Sequence, residues 1–262
     1  MSSKSIDNLV KVIIIAYTQS MNSFLIKELS VFFPCYNEEK NITNTINKTI
    51  PVLQKNAQKW EIILINDGSK DNTAKVLEEI KKKYPTQIKI ITHNPNRGYG
   101  AALKSGLYNA KYSWIAFTDS DGQFDFSEIT KFIKKQQNTK SDLVIGYYLS
   151  RQVSKGAIIT SKIWELIVFI LFGLKVRDVD CGFKLISKKV IDTIPKLEAQ
   201  RGAFISSELL IKAKKSGFKI VEIGVHHYPR LEGQATGRNL KVILKSFSDL
   251  FRLWFKINSP HA

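Results

Sequence analysis

The chain has 262 residues, 44% of them hydrophobic, with 40 Lys and Arg against 23 Asp and Glu and a formal net charge of +17. That length and apolar content suit one large α/β domain, alone or with a small appendage, and exclude a disordered or fibrous chain. The charge asks for a polyanionic partner. No basic finger, arm or aromatic–basic motif favours nucleic acid, so an anionic membrane surface and phosphorylated substrates fit better.

Two cysteines, Cys35 and Cys181, make neither a disulfide framework nor a zinc site, as expected in a reducing cytoplasm. The apolar run Val12–Tyr17 is too short to span a bilayer and is read as an extra strand or helix within an N-terminal extension over 1–28. A catalytic domain over 29–239 and an amphipathic helix over 240–262 complete the expected organisation.

In chain order, the first strand is Leu29–Cys35, closed by Pro34 and followed by "YNEEKNI", where Asn37 is placed to cap a helix with Glu38 and Glu39 in its first turn. Glu61–Asn66 is a continuous apolar run of the kind found in buried parallel strands, and it stops at Asp67. Asp71 or Asn72 then opens a helix through Lys83. Strands at Ile88–His93, Ser113–Thr118 and Leu143–Gly146 alternate with helices over Ala101–Ala110 and Phe126–Gln137. Further on come an apolar helix over Ile158–Leu174, a strand or loop in "DVDCGFKLISKKV", a helix over Ser206–Ser216, a strand over Phe218–His226 and a helix over Leu240–Ile257. The alternation predicts an α/β fold with a mostly parallel central sheet covered by helices on both faces.

Ligands of such sheets bind beyond the carboxyl ends of the strands, and there the polar residues gather: Asp67, Asn96, Arg97, Asp119 and Asp121. Asp119-Ser-Asp121 directly follows an apolar strand. Two carboxylates one residue apart in a turn can hold a hard divalent cation, Mg²⁺ or Mn²⁺, with positions left for diphosphate oxygens. Asp67 is placed to hydrogen-bond a nucleotide base. In "NRGYGAALKSG" the third glycine of a dinucleotide fingerprint is replaced by Leu103, which excludes a Rossmann dehydrogenase. Gly98 and Gly100 instead suit a tight strand-to-helix turn that a nucleotide approaches closely.

Together the segments "VFFPCYNEEKNI", "ILINDGSKDNT", "NRGYGAAL", "FTDSDGQFDFSEI", "DVDCGFKLI" and "HYPRLEGQATG" resemble the family 2 inverting glycosyltransferases, in particular the dolichyl-phosphate mannosyltransferase and polyprenyl-phosphate glycosyltransferase branch. The resemblance implies a glycosyltransferase A-type fold that takes a nucleotide-sugar donor, of the GDP-mannose or UDP-glucose type, and a polyprenyl or dolichyl phosphate acceptor at the cytoplasmic face of a membrane. It places Asp119, Asp121 and Gln123 around the metal. Pro34, Tyr36 and Glu38 line the nucleotide pocket with Asp67, Arg97 and Gly98, and Arg230 meets the donor diphosphate or the acceptor phosphate. Catalysis then rests on Asp121 and Arg230. Phe126 stands where the family often has Pro, and an arginine usual near Tyr148 is missing, with Arg151 as its substitute at the acceptor phosphate. A glycosyltransferase directed at a sugar hydroxyl is the alternative; it needs a base, for which Glu208, Asp178 and Asp180 are the available carboxylates.

Overall fold

The computed structural model describes residues 24–150, 155–200, 202, 204–230 and 240–259, leaving out the side chains of 155, 157 and 240–244. Val12–Tyr17 and Arg151 lie outside the described residues, as do the side chains of Leu240, Ile243 and Leu244.

Seven strands form one sheet in the order β3-β2-β1-β4-β6-β5-β7. They are β1 (Ile26–Cys35), β2 (Ala57–Asn66), β3 (Ile88–Thr92), β4 (Trp114–Phe117), β5 (Leu143–Tyr148), β6 (Lys184–Ser187) and β7 (Ile220–Val225). Pairing is parallel except at β6, which runs antiparallel between β4 and β5. The first strand starts at Ile26, ahead of the boundary expected at residue 28, and pairs with β2 from Ile26↔Ala57 onward.

Alternate side chains enter opposite layers, as the two-residue period of a strand requires. Phe32 and Phe117 stack at 5.0 Å on one face, beneath α3 (Tyr99–Asn109), α5 (Lys155–Phe172), α7 (Phe204–Lys215) and α8 (Leu240–Asn258). Val31 and Phe33 enter the other, beneath α1 (Ile42–Asn56), α2 (Thr73–Lys83) and α4 (Ile129–Thr139). A short α6 (Lys188–Thr193) follows β6.

Three expectations need correction. The first helix starts at Ile42, one turn later than expected, because Asn37 holds a left-handed backbone (φ 56°) and accepts from Lys70 N instead of capping. The segment holding Phe126 opens as a 3₁₀ turn, Phe126–Glu128, before α4. The C-terminal helix is no separate appendage from Phe247 onward: Phe247 meets Trp164 of α5 edge to face at 5.1 Å, and Leu250 and Leu253 are buried in the core.

Candidate active site

The "DSDGQ" turn leaves β4 at the carboxyl edge of the sheet and is fastened from below. Ser120 Oγ donates to Pro34 O at 2.7 Å, and Thr45 Oγ1 of α1 donates to Ser120 O at 3.1 Å. With Ser120 directed into the protein, its neighbours Asp119 and Asp121 share the other side. Asp121 Oδ1 accepts from Gln123 N at 3.0 Å, closing the turn through Gly122. Asp119 Oδ1 accepts from Tyr99 Oη at 3.2 Å. Burial, and then the Asp121 carboxylate beside it, push Asp119 up to about 7. A carboxyl raised in this way by a like-charged neighbour is a setting that a cation relieves.

Opposite lies the segment after β7. Tyr228 N donates to Gln123 O at 2.9 Å, and Gln123 Nε2 returns a bond to Tyr228 O at 3.0 Å. His226 N and Nδ1 both reach Glu128, at 3.0 and 2.9 Å. These bonds deliver Arg230 to the site: its Nη2 bonds Glu38 Oε1, and its Nη1 stands 3.9 Å from Asp121 Oδ2. Glu38 is buried and lifted by that burial, although Asn41 and Arg230 draw it back. Pro34, Glu38, Asp119, Asp121, Gln123 and Arg230 therefore meet around one corner of the sheet, with half-buried Tyr36 on the chain between Pro34 and Glu38.

The second corner is built on Asp67, at the end of β2. Its carboxylate takes four donors: His93 Nδ1 at 2.7 Å and Arg97 N at 2.9 Å on Oδ1, Asn96 Nδ2 at 2.8 Å and Gly98 N at 2.9 Å on Oδ2. A carboxylate has about four acceptor positions, so none is left over for a base. Asp67 instead holds the 93–98 turn, in which Gly98 has φ 93°. Arg97 exposes its guanidinium at that turn. His93, which sequence reasoning passed over as a strand residue, is buried and also reaches Ser105 Oγ through Nε2 at 2.8 Å.

The "CGFK" segment forms the rear wall, and its alternation explains each residue. Cys181 and Phe183 turn into one layer; Phe183 stacks on Phe132 at 4.5 Å. Gly182 and Lys184 turn the other way, Gly182 against the Asp119 carboxylate and Lys184 with its ammonium 5.4 Å over the Phe117 ring, donating to Cys181 O. Burial lowers the Lys184 ammonium while Cys181 and the Asp178, Asp180 and Asp119 carboxylates pull it back. Both cysteines are free thiols that burial pushes up to about 12, too high for nucleophilic work. Tyr99, Gly182 and Lys184 lie in segments visible in the sequence, yet only their spacing around Asp119 reveals their part.

Glu208 is spoken for. It accepts from Glu198 N and Ala199 N, both at 2.8 Å, and pairs with Lys212 at 2.6 Å, so it anchors a loop and is no base. Asp178 Oδ1 likewise accepts from Asp180 N and Cys181 N.

The donor set suits a divalent cation. Among the described residues no group of three or more His, Cys, Asp or Glu comes together for a metal; Asp119 and Asp121 are the two carboxylates of this turn, and Gln123 follows them in it. Few protein ligands, with the rest supplied by phosphate and water, is how Mg²⁺ is usually held at phosphate-binding sites.

Residues 30–194 match Glycosyl transferase family 2. The chain belongs to the family 2 glycosyltransferases. It is 31% identical over 254 residues to a dolichyl-phosphate beta-glucosyltransferase of Trichomonas vaginalis, spanning 88% of this chain and 74% of that one. With the human dolichyl-phosphate beta-glucosyltransferase the identity is 29%, over 79% of this chain and 69% of the relative. Among solved structures, glucosyl-3-phosphoglycerate synthase of Mycobacterium tuberculosis in complex with Mn²⁺, uridine diphosphate and phosphoglyceric acid superposes with TM-score 0.66 at 17% identity, covering 87% of this chain and 78% of that one. Its complex with Mg²⁺ and uridine diphosphate gives 0.65 at 15% identity, over 86% and 79%. The fold of this glycosyltransferase is thus the A type expected.

Proposed function

We propose that this family 2 enzyme transfers glucose from UDP-glucose to dolichyl or another polyprenyl phosphate, with inversion and with Mg²⁺ or Mn²⁺, at the cytoplasmic face of a membrane. The observation that carries the reading is the meeting of Asp119, Asp121 and Arg230 at the carboxyl edge of the sheet, 3.9 Å separating Arg230 Nη1 from Asp121 Oδ2. Glucose is preferred to mannose because the relatives at about 30% identity are glucosyltransferases.

A phosphate acceptor is already ionised at neutral pH and attacks the anomeric carbon without a strong base. The engagement of Glu208 and Asp178 in backbone bonds agrees with that need. The protein's share is positioning and charge. Asp119 and Asp121, with Gln123, would hold the cation, which when bound neutralises charge on the departing nucleotide diphosphate. Arg230 adds a planar, permanently charged donor pair for phosphate oxygens. The Asp67-held turn, with Arg97 and Gly98, forms the nucleotide wall beside Pro34, Tyr36 and Glu38.

The lipid side is favoured by α5. Ile159, Ile163, Leu166, Phe169 and Ile170 are between 46% and 68% exposed and recur at three- and four-residue steps. Beside them α8 exposes Phe251 and Phe255. No helix among the described residues is long and apolar enough to cross a membrane, so such a face suits a helix lying in the interface, with lysines toward anionic head groups.

The test is a donor screen with UDP-glucose, GDP-mannose and UDP-N-acetylglucosamine against a short polyprenyl phosphate, with and without EDTA. Glucosyl transfer that stops in chelator and returns with Mn²⁺ is expected. Turnover unaffected by excess chelator would overturn the metal assignment, and transfer only to a sugar hydroxyl would overturn the lipid-phosphate one.

A further inference from the structure

Gly182 needs no special backbone conformation, since it is absent from the glycines with positive φ. Its reason lies in what stands before it. A methyl group built on its Cα would fall 2.5 Å from Asp119 Oδ2, 3.0 Å from Cγ and 3.2 Å from Oδ1. All three atoms belong to one carboxylate, which therefore stands directly against the glycine, its Oδ2 nearest. That carboxylate is also tied on its other oxygen by Tyr99 Oη at 3.2 Å. It cannot yield to a side chain at 182 and keep this bond: relieving a 2.5 Å approach takes a shift of about 1 Å, enough at an active site to cost about two orders of magnitude in rate.

The register fixes the approach from behind. Phe117↔Lys184 is the last antiparallel pair of β4 and β6, so the residue two before Lys184 lies alongside the residue two after Phe117, which is Asp119. Phe183, whose ring is stacked on Phe126 and Phe132 in the opposite layer, keeps the segment from backing away.

We propose that Gly182 is a positioning residue for the cation site: the missing side chain at 182 sets where the Asp119 carboxylate sits. This rests on the proposed metal-dependent reaction, but it makes a claim about geometry that can fail separately. Gly182→Ala, in the full chain, should weaken Mn²⁺ binding in the presence of UDP by about 10- to 100-fold, the range found when groups supporting a metal ligand are disturbed. Electron paramagnetic resonance of free Mn²⁺ reads this without any turnover. The second arm is a thermal-unfolding cycle over Gly182→Ala, Asp119→Ala and the double variant, without metal. If the methyl collides with this carboxylate, the destabilisation caused by Gly182→Ala largely disappears once Asp119 is Ala, a non-additivity that independent sites do not show. A Gly182→Ala protein that binds Mn²⁺ like the parent overturns the proposal, and so does strict additivity in the cycle. Should the single variant fail to fold, rescue by Asp119→Ala supports the proposal and failure of rescue overturns it. Should the parent itself bind no Mn²⁺, the proposed reaction falls, and the unfolding cycle alone decides the role of Gly182.

Discussion

Replacing Asp67 with Asn changes one atom and should be costly. The carboxylate only accepts, so His93 donates to it from Nδ1; in the neutral ring Nε2 then accepts from Ser105. An amide must turn its NH₂ toward one of the two donor pairs. Facing Asn96 Nδ2 and Gly98 N, it meets two donors with no remedy on the backbone side. Facing His93 and Arg97 N, it can be met halfway: the imidazole moves its proton to Nε2, which then donates to Ser105 Oγ, and Nδ1 accepts. Arg97 N still points at an NH₂. One orphaned donor costs about 1–3 kcal/mol, and each of the two bonds left on the oxygen falls from charge-assisted to neutral strength, about 1 kcal/mol apiece. The total is about 4 kcal/mol, which for a chain of this size is a drop of about 10 °C in Tm. Urea and thermal unfolding of the full chain measure the loss, and ¹⁵N chemical shifts of the His93 ring report the change of tautomer. UDP affinity should fall with it as the 93–98 turn loosens. A variant within about 0.5 kcal/mol of the parent, the scatter of ordinary surface changes, would refute the reasoning.

Arg230→Lys should lower kcat/KM by about two orders of magnitude, since an ammonium cannot present the paired donors that reach Glu38 and Asp121; parental steady-state values would return Arg230 to the plain surface. Because Asp119 is held at about 7 in the folded chain, against about 3.9 when unfolded, protons compete with the cation below pH 7. Mn²⁺ affinity should fall about tenfold per unit under that value and level off above it, and a flat profile from pH 5.5 to 8 counts against the assignment. In metal-free protein the sign reverses. The unfolded chain gives up this proton first, so the contribution of Asp119 to stability declines as pH rises from about 4 to 7. Serines at Ile163 and Ile170 should reduce pelleting with anionic liposomes while leaving Tm and UDP binding in place, because both side chains are exposed; undiminished pelleting would send the lipid contact elsewhere.

Strands that are buried on both faces announce themselves as apolar runs, which is why β1, β2 and β4 were legible together with the acids that end them. The direction of β6 was not. Antiparallel insertion is decided by its partners β4 and β5, and Lys184 in the middle of "GFKLIS" disguises a strand buried from Lys184 to Ile186. Asp67 was found for its place at a strand end, but its role depends on four donors, three of them about thirty residues away along the chain. No local pattern carries that. The amphipathic stripe of the last helix was equally plain, yet a stripe does not say what covers it; Leu250 and Leu253 spend part of it on the protein, while Phe251 and Phe255 are left outward among its described side chains.

The reversal of β6 has an outcome for how the chain tolerates change. Every parallel strand offers the site its exit, so its lower loop is spare length. In β6 the ends trade places: its approach, residues 178–183, runs along the working rim, while its exit at Ser187 and Lys188 leaves on the distant side, where Lys188 N bonds Ser113 O at the start of β4. Extra residues spliced between β6 and α6 would therefore lengthen a remote corner. The same number inserted between Asp178 and Gly182 would slide the wall out from behind Asp119.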